Sequence, residues 1–287
     1  MGDSAYPLAY LQIADPPVAI YVRGKPELLN NDAVGIVGSR NATVQGTRDA
    51  EAFAEVLSQH GLAIVSGMAL GIDAAAHRGG LRGRGSSIAV LGTGADRVYP
   101  PRNGTLAEQL ALEGAIVSEF PLGMPPLREN FPQRNRLISA LTRGVLVVEA
   151  ALGSGSLITA RCALDQNRDV FAMPGSIHSP VSRGCHWLIR EGAKLVECAE
   201  DILEELNLPH EPATKETVEE ESDPLLDAMG HGPATIDQIA ARLGRTTAAV
   251  AARISALEIE GRVASLASGS FQRLKRADPT ARNRVIE

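Results

Sequence analysis

The stretch EAALGSGSLITARCAL, residues 149–164, places Gly153, Ser154, Gly155 and Ser156 between an apolar run and a segment with helical spacing. Small residues at such a junction leave the first amides of a helix exposed, and these amides together with the helix dipole attract anions such as phosphate. A tight turn in which Ser154 or Ser156 caps the helix accounts for the same residues. Both interpretations stay open for this stretch alone.

Four other loops of the same kind follow apolar runs. They are GSRNAT (38–43), SGMALGID (66–73), GTGADRVYPPRN (92–103) and SEFPLGMPPLRENFPQRNR (118–136), and they are rich in glycine, hydroxyl or arginine side chains. A single glycine loop is a weak signal, but five at one edge of a fold predict an anion-binding surface. The sequence contains no GxxxxGK[ST], and GTGADR is not GxGxxG, so it predicts no standard nucleotide cofactor.

The elements that must position these loops alternate regularly along the first two thirds of the chain. Short apolar runs predict strands at 33–38, 62–66, 87–91, 115–118, 144–148, 169–173 and 194–197. Amphipathic segments between them predict helices. The pattern indicates an α/β fold with a Rossmann-like, doubly wound and mostly parallel sheet. Such sheets bind ligands beyond the carboxyl ends of their strands, where the five loops begin.

The formal net charge of −6 is concentrated in one segment. Residues 1–196 carry 18 basic and 17 acidic side chains, residues 197–223 carry 1 and 11, and residues 224–287 carry 9 and 6. Acidic segments with few apolar residues are usually solvated, so we predict a linker at 207–223. The flanking domains are then neutral to basic, which is compatible with a nucleic-acid partner.

Length and composition exclude several classes of protein. A chain of 287 residues suffices for one large α/β domain and a small module. No apolar run approaches the roughly 20 residues that span a bilayer, and the first residues lack a secretory pattern, so we expect no membrane association and a cytoplasmic location. Cys162, Cys185 and Cys198 are far apart without metal-ligand spacing, so we expect a reducing compartment and no metal site.

Several polar residues have two interpretations. Asp73 and His77 are four residues apart, as in an acid–base or metal pair, but a favourable charge at the helix start and local hydrogen bonding explain them better. Arg134 and Arg136 flank Asn135 ahead of an apolar helix. We predict that they contact a phosphate backbone, with ion pairs on the protein as the alternative.

Aromatic residues make up only 3% of the chain, so base stacking cannot dominate its interactions. Phe131 fits stacking on a base of a single strand, and it fits anchoring of its own loop equally well. Trp187 is expected in the core.

The C-terminal block from 224 to 276 has its own pattern. A helix at 224–230, the helix TIDQIAARLG, the turn RTT and the longer helix TAAVAARISALEIEG precede two strand-like runs. This order predicts a small winged helix-turn-helix domain. Arg245 and Arg253 fit contacts with DNA, and a protein-contact or accessory role fits the same fold.

An ordered set of motifs resembles one known family. The motifs are GIVGSR, SGMALGIDAAAH, IAVLGTGADRVYP, IVSEFPLG, FPQRNRLISAL, VLVVEAALGSGSLITA and FAMPGSIHSPVSRG. Together they resemble the DNA-processing protein A (DprA/Smf) family from about Tyr6 to Leu206, and the C-terminal block resembles the winged-helix module of many members. The resemblance implies a bacterial protein that binds single-stranded DNA, protects incoming strands during natural transformation, delivers them to the recombinase RecA and forms a homodimer.

The resemblance places the main strand contact at Arg40 in GSR. The family commonly has lysine after YP, where this chain has Pro101 and then Arg102, and it usually has asparagine where this chain has His186. The predicted nucleic-acid-binding residues are Gly38, Ser39, Arg40, Gly67, Arg102, Arg134, Asn135, Arg136, Gly153, Ser154, Gly155 and Ser156. The predicted domains are a lead-in segment (1–30), a Rossmann-like DNA-binding domain (31–206), the acidic linker (207–223), the winged helix (224–276) and a tail (277–287).

Two other classes of function compete with this one. Related Rossmann-like families hydrolyse nucleoside phosphates, but their PGGxGTxxE motif has no counterpart here. No nucleophile and base stand at a recognisable spacing, so we predict a protein without catalytic activity. A winged-helix regulator with a ligand-sensing α/β domain differs from a single-strand binder in preferring duplex DNA.

Overall fold

The structure is a computed structural model that describes residues 6–209, 223–230, 232–266 and 269–274. It divides into two compact units, residues 1–213 and 214–287, which are described separately. Most of the predicted acidic linker and the whole predicted tail at 277–287 lie outside the described residues. Among the helices of the described ranges, none is long and apolar enough to cross a membrane.

The first unit is built on one eight-stranded sheet. Its strands are β1 (Tyr21–Gly24), β2 (Ala33–Val37), β3 (Ala63–Ser66), β4 (Ser87–Val90), β5 (Ala115–Ser118), β6 (Gly144–Val147), β7 (Asp169–Ala172) and β8 (Lys194–Leu195). Their order is β1-β5-β4-β3-β2-β6-β7-β8, and all neighbours from β5 to β8 are parallel. The Rossmann-like, doubly wound sheet predicted from the sequence is confirmed.

The order of the strands changes direction at β2. From β2 the chain moves outward through β3, β4 and β5, and then it returns to β6 on the other side of β2 and continues to β7 and β8. The connections after β2 and β6 therefore diverge from two neighbouring strands. In this class of fold, ligands bind in the crevice that such a divergence opens.

Seven α-helices in the described part of this unit connect and cover the strands. They are α1 (Val44–Gln59), α2 (Ile72–Gly80), α3 (Gly104–Glu113), α4 (Asn130–Ala140), α5 (Ser156–Asp165), α6 (Arg183–Arg190) and α7 (Ala199–Glu205). Alternate residues of β2 supply the two sides of the core. Val34 and Ile36 pack with residues of α1 and α2, whereas Ala33 and Val37 pack with residues of α4 and α5.

The predicted lead-in segment is an integral part of this unit. β1 pairs antiparallel with β5, with Tyr21 opposite Ser118. Tyr10, Leu28 and Leu29 are buried in the core of the unit. β1 was not predicted from the sequence, because all four of its side chains are exposed at the edge of the sheet and the strand has no apolar alternation.

The second unit has the winged-helix topology predicted from the sequence. Its elements are α8 (Pro224–Met229), β9 (Ala234–Thr235), α9 (Ile236–Leu243), α10 (Thr247–Ile259), β10 (Val263–Ser265) and β11 (Ser270–Arg273). Thr235 and Gln238 form a capping box at the start of α9, and Gly244 ends that helix in the left-handed conformation. The core of this unit includes Ile239 and Leu257.

The two arginines predicted to face DNA in this unit differ in their surroundings. Arg253 donates to Asp223 Oδ2 from Nη2 at 2.6 Å and from Nε at 3.1 Å, and its Nη1 lies 3.3 Å from Glu260 Oε1. Arg245 is exposed. Arg253 is therefore engaged by acidic neighbours of its own unit, and its contact with DNA stays a prediction.

We expect a fragment of residues 1–208 to fold without the second unit. The apolar clusters of the first unit extend to Leu208, and the cluster of the second begins at Leu225, so each unit has its own core. Calorimetry of the fragment should show one cooperative transition within about 4 °C of the corresponding transition in the full chain. Loss of the helical circular dichroism signal in the fragment would contradict this independence.

Candidate functional site

The predicted site residues lie at one edge of the first unit, because parallel strands bring their carboxyl ends together. Gly38, Ser39 and Arg40 follow β2, Gly67 follows β3, and Arg102 lies between β4 and α3. Arg134, Asn135 and Arg136 belong to α4 after β5, and residues 153–156 follow β6. We call this edge the carboxyl edge.

Arg40 has an exposed side chain at the carboxyl edge. Its guanidinium carbon is 5.8 Å from the centroid of the Phe131 ring, within the range of a cation–π contact. Within the described ranges, Arg40 has no ion-pair partner. Its positive charge is therefore available to an anion.

Phe131 is half-buried next to Arg40. The centroid of the Tyr99 ring is 5.9 Å from that of Phe131, and Tyr99 is 44% exposed. The ring also contacts Gly92, where an added Cβ would lie 2.9 Å from Phe131 Cδ1. Phe131 thus anchors its loop, as one of the two interpretations expected, and the partial exposure of its ring remains compatible with base stacking.

Arg134 has partners inside the protein. It is 6% exposed, its Nη1 donates to the Val90 carbonyl, and its Nε donates to Asn135 Oδ1 at 3.2 Å. An added Cβ on Gly67 would lie 2.7 Å from Arg134 Nη2 and 2.5 Å from Asp73 Oδ2. Burial lowers the pKa of Arg134 to about 10, and burial raises the pKa of Asp73 although Arg134 opposes that shift. The two side chains therefore close around Gly67 and compensate each other's charge.

Arg136 and Asn135 are also engaged by the protein. Nη1 and Nη2 of Arg136 donate to the two carboxylate oxygens of Glu119 at 2.8 and 2.7 Å, and Nε donates to Asp15 at 3.1 Å. Asn135 Nδ2 donates to the Gly155 carbonyl at 3.3 Å. Arg136 is thus ion-paired, as the alternative interpretation expected, whereas Arg134 is buried and bonds the Val90 carbonyl and Asn135. Their contact with nucleic acid stays a prediction.

The loop of residues 153–156 combines both interpretations drawn from its sequence. Ser154 Oγ accepts the Ser156 amide at 3.3 Å and lies 2.7 Å from Ser156 Oγ, so a serine satisfies an amide of this turn, although no side-chain hydrogen bond caps α5 at its N-cap residue Gly155. Gly153 and Gly155 are exposed, and an added Cβ on either would meet nothing within 4 Å. The fold therefore does not require glycine at these two positions, and open space above the backbone is what an approaching ligand needs.

Glu149 joins the two diverging loops, and the sequence analysis did not single it out. Its Oε2 accepts the Thr43 amide at 2.9 Å, and its Oε1 accepts the Thr43 hydroxyl at 2.6 Å. Thr43 Oγ1 also accepts the amide of Gly46 at 2.9 Å, which caps α1. Burial raises the pKa of Glu149. The available signal was an acidic residue directly after the apolar run GVLVV.

His77 and Asp73 have local structural roles, as the preferred interpretation expected. His77 is fully buried, with Nε2 2.5 Å from the Gly67 carbonyl and Nδ1 2.7 Å from Ser87 Oγ. Burial lowers the pKa of His77 to about 4, so the imidazole is neutral at pH 7. Asp73 lies in the first turn of α2 and accepts the Ala69 amide at 3.2 Å. In the part of the chain that the structure describes, no group of three His, Cys, Asp or Glu side chains is placed to hold a metal ion.

The two departures from the family pattern differ in their positions. Arg102, next to Pro101, is exposed at the carboxyl edge. The adjacent Asn103 donates to the carbonyl of Met68 at 2.8 Å, which fixes this segment against the loop after β3. His186 Nε2 lies 3.0 Å from the Gly175 carbonyl in the connection before α6. Arg102 is therefore exposed to solvent at the carboxyl edge, whereas His186 has a local partner and the predicted site residue Gly67 is buried beneath Asp73 and Arg134.

Comparisons with known proteins agree with this architecture. The family model described as DNA recombination-mediator protein A matches residues 1–207, and the model described as the DprA winged helix domain matches residues 209–269. Protein Smf of Escherichia coli is 44% identical over 293 residues, which cover 98% of this chain and 78% of that protein. DNA processing protein DprA of Streptococcus pneumoniae is 46% identical over 203 residues, which cover 71% of this chain and 72% of that protein.

Two solved structures resemble the first unit. The X-ray structure of DNA processing protein A from S. pneumoniae has a TM-score of 0.67 and 44% identity and covers 73% of each chain. A structure of DNA processing protein A from Helicobacter pylori, described by its single-stranded DNA binding mode, has a TM-score of 0.65 and 30% identity. It covers 70% of this chain and 92% of that one.

The contributions of Asp73 and Arg134 to the free energy of unfolding should depend on each other. Replacing Arg134 by Met leaves the buried Asp73 carboxylate without its compensating cation, and we expect a loss of about 3 kcal/mol in the free energy of unfolding. The double variant D73N/R134M removes both charges and should recover part of that loss. Urea unfolding of the four proteins in this cycle measures the coupling. Additive effects of the two substitutions would show that the pair does not act as a unit.

Proposed function

Because the chain belongs to the DNA recombination-mediator protein A (DprA/Smf) family, we propose that it is a DNA-processing protein that binds single-stranded DNA along its carboxyl edge. The observation that carries this proposal is the exposed Arg40, which rests on the partly exposed Phe131 ring without an ion-pair partner in the described ranges. Arginine donates two parallel hydrogen bonds to a phosphate, and aromatic rings stack on unpaired bases. Arg40 can thus bind the phosphate of a nucleotide, and Phe131 can stack on its base.

The surrounding loops supply the rest of the proposed strand path. Gly153 and Gly155 leave open space above their backbone beside the start of α5, where a phosphate meets the positive end of the helix dipole. Arg102 lies at the far end of the same edge. Contacts with phosphates carry no sequence preference, so we infer binding to strands of any sequence.

A single strand fits this edge better than a duplex does. The faces of bases are stacked on each other in a duplex and cannot reach Phe131 or Tyr99, whereas a single strand exposes them. In the second unit Arg253 is held by Asp223 and Glu260, which weakens the alternative of a winged-helix regulator that reads duplex DNA. Gel-shift competition among single strands, duplex and mononucleotides tests this preference.

The side chains of the carboxyl edge also favour binding without catalysis. Asp73 is buried against Arg134 and the Ala69 amide, and the neutral His77 is occupied by Gly67 and Ser87. Neither faces a position where a water or a hydroxyl would be activated at a phosphate. We therefore propose that the protein leaves nucleotides and DNA intact, and incubation with labelled DNA and nucleoside phosphates tests it.

Protection of incoming strands in natural transformation and loading of RecA complete the proposal. Both are supported by the family, whose model is described as a recombination mediator. No residue is assigned to a contact with RecA. Strand exchange by RecA on DNA coated with a single-strand-binding protein, with and without this protein, tests the loading step.

We further propose that the protein is a homodimer that associates through the β8 edge. β8 ends the sheet, so one side of its backbone has no strand partner among the described residues. The adjacent surface exposes Leu152 and Leu195, by 58% and 44%, together with the exposed Arg183 and Arg190. A cavity of about 570 Å³ opens there between α6, β8 and the loop after β6. A second copy that covers this surface would remove both the open edge and the apolar side chains from water.

Arg40→Ala should weaken binding of mixed-sequence and homopolymer single strands about equally, by about tenfold, because one phosphate contact is lost. The slope of the logarithm of the binding constant against the logarithm of salt concentration should fall by about 0.7. Fluorescence anisotropy at several salt concentrations measures both quantities.

The matched control is Arg84→Ala, which removes an exposed arginine before β4 at the opposite edge of the sheet. Arg143 is less suitable because it donates to the Leu206 carbonyl at 2.8 Å and lies 3.6 Å from Asp32. If Arg40→Ala retained the affinity and the salt slope of the unmodified protein, the proposed strand path would be wrong.

Leu195→Glu should convert the dimer to a monomer, because it replaces an exposed apolar side chain of β8 itself by a charge that would be buried in the interface. Sedimentation equilibrium measures the mass of the species. Leu112→Glu is the control, since Leu112 is 75% exposed on α3, on the other half of the sheet, and should leave the dimer intact. A dimer that persists in Leu195→Glu would refute this location of the interface.

A further inference from the structure

The start of α1 lies where this class of fold holds the phosphates of nucleotide ligands. α1 follows β2, and β2 is one of the two strands at which the strand order changes direction. In doubly wound sheets the nucleotide phosphate binds to the amides of such a helix, in the crevice at the change of direction. An open α1 N-terminus would therefore attract free nucleotides and inorganic phosphate.

In this chain a carboxylate of the protein already occupies that place. Glu149 reaches across from the loop after β6 and accepts the Thr43 amide at 2.9 Å and the Thr43 hydroxyl at 2.6 Å. An added Cβ on Gly46, in the first turn of α1, would lie 2.4 Å from the carboxylate carbon and 2.6 and 2.8 Å from its oxygens. The carboxylate is thus seated directly against the first turn of the helix.

Ionisation of Glu149 does not itself stabilise this arrangement. Burial raises the pKa of Glu149, and the hydrogen bonds from Thr43 only partly oppose that shift, while Asp49 adds to it. A raised pKa means that the ionised carboxylate lowers the free energy of unfolding at neutral pH relative to a carboxylate exposed in the unfolded chain.

We propose that Glu149 is a specificity-determining residue that fills the phosphate position of α1 and so excludes free nucleotides and inorganic phosphate from the carboxyl edge. This inference rests on the proposed function, because it concerns the same edge. A polymer reaches the outer positions at Arg40 and at residues 153–155 simultaneously, and several weak contacts then add up. A mononucleotide depends on one strong phosphate site, and Glu149 removes that site.

The experiment compares two substitutions of Glu149 with inorganic phosphate as the probe. Glu149→Ala removes the whole carboxylate and opens the space, so phosphate should bind at least about tenfold more tightly than to the unmodified protein, a difference of about 1.4 kcal/mol. Glu149→Gln removes the charge but keeps the volume, so it should not gain phosphate binding. Isothermal titration calorimetry at constant ionic strength measures all three proteins.

A third substitution closes the space again. In the double variant G46A/E149A, the new methyl group of residue 46 occupies the region that the carboxylate leaves, so the gained phosphate binding should disappear. Equal gains in Glu149→Ala and Glu149→Gln would show a general effect of charge and overturn the proposal. The same conclusion follows if Glu149→Ala, folded by circular dichroism, gains nothing.

The unmodified protein supplies a test that does not depend on any variant. Its binding of a labelled single strand should be the same in phosphate and in chloride buffers of equal ionic strength. Competition by phosphate would mean that the phosphate position is open and would overturn the proposal. Single-strand binding measured in chloride alone tests the proposed function separately, because its absence contradicts that function whatever phosphate does.

Discussion

The carboxyl edge depends on the change of strand direction at β2, because that change splits two neighbouring connections apart. The loop after β2 leads to α1 and the loop after β6 leads to α5. The chain does not connect these two loops directly, so only non-covalent contacts hold the sides of the crevice together. Glu149 and Thr43 close it with two hydrogen bonds. The Ile72 amide donates to the Ser39 carbonyl at 3.2 Å, which ties the same loop to α2. Arg40 projects from a loop that is fixed on both sides.

A buried polar layer lies beneath the exposed residues and holds the neighbouring loops. His77 bonds the Gly67 carbonyl, Arg134 bonds the end of β4, and Asn135 bonds the Gly155 carbonyl. A buried polar group that loses its hydrogen-bond partner lowers the stability of the fold. These hydrogen bonds therefore keep the loops in one arrangement. The side chains predicted to bind a ligand thus fall into two groups. Some, such as Arg40 and Arg102, are exposed, and others, such as Arg134 and Asn135, hold the loops in place.

The main sheet was predictable because its parallel strands are short apolar runs that end at glycine-rich loops. β1 was not, since an exposed edge strand has no apolar pattern. At the site, Arg40 and the glycines at 153 and 155 are exposed, as binding to a ligand would require. Residue type did not predict that Glu119 pairs with Arg136, or that Arg134 is buried. Those partners come from distant parts of the chain, and only the tertiary structure brings them together.

The net charge that the carboxyl edge presents to a strand depends on which of its charged side chains are paired within the protein. Glu119 neutralises Arg136, Asp73 compensates Arg134, and Glu149 adds a negative charge at α1, while Arg40, Arg97, Arg102 and Arg128 remain exposed in the loops of this edge. Only a few cations therefore face a strand, and counterion release scales with the number of phosphates they neutralise. The salt dependence of DNA binding should be shallow for one protomer. Affinity should then draw also on stacking against the aromatic side chains and, in the proposed homodimer, on the number of protomers that one strand crosses.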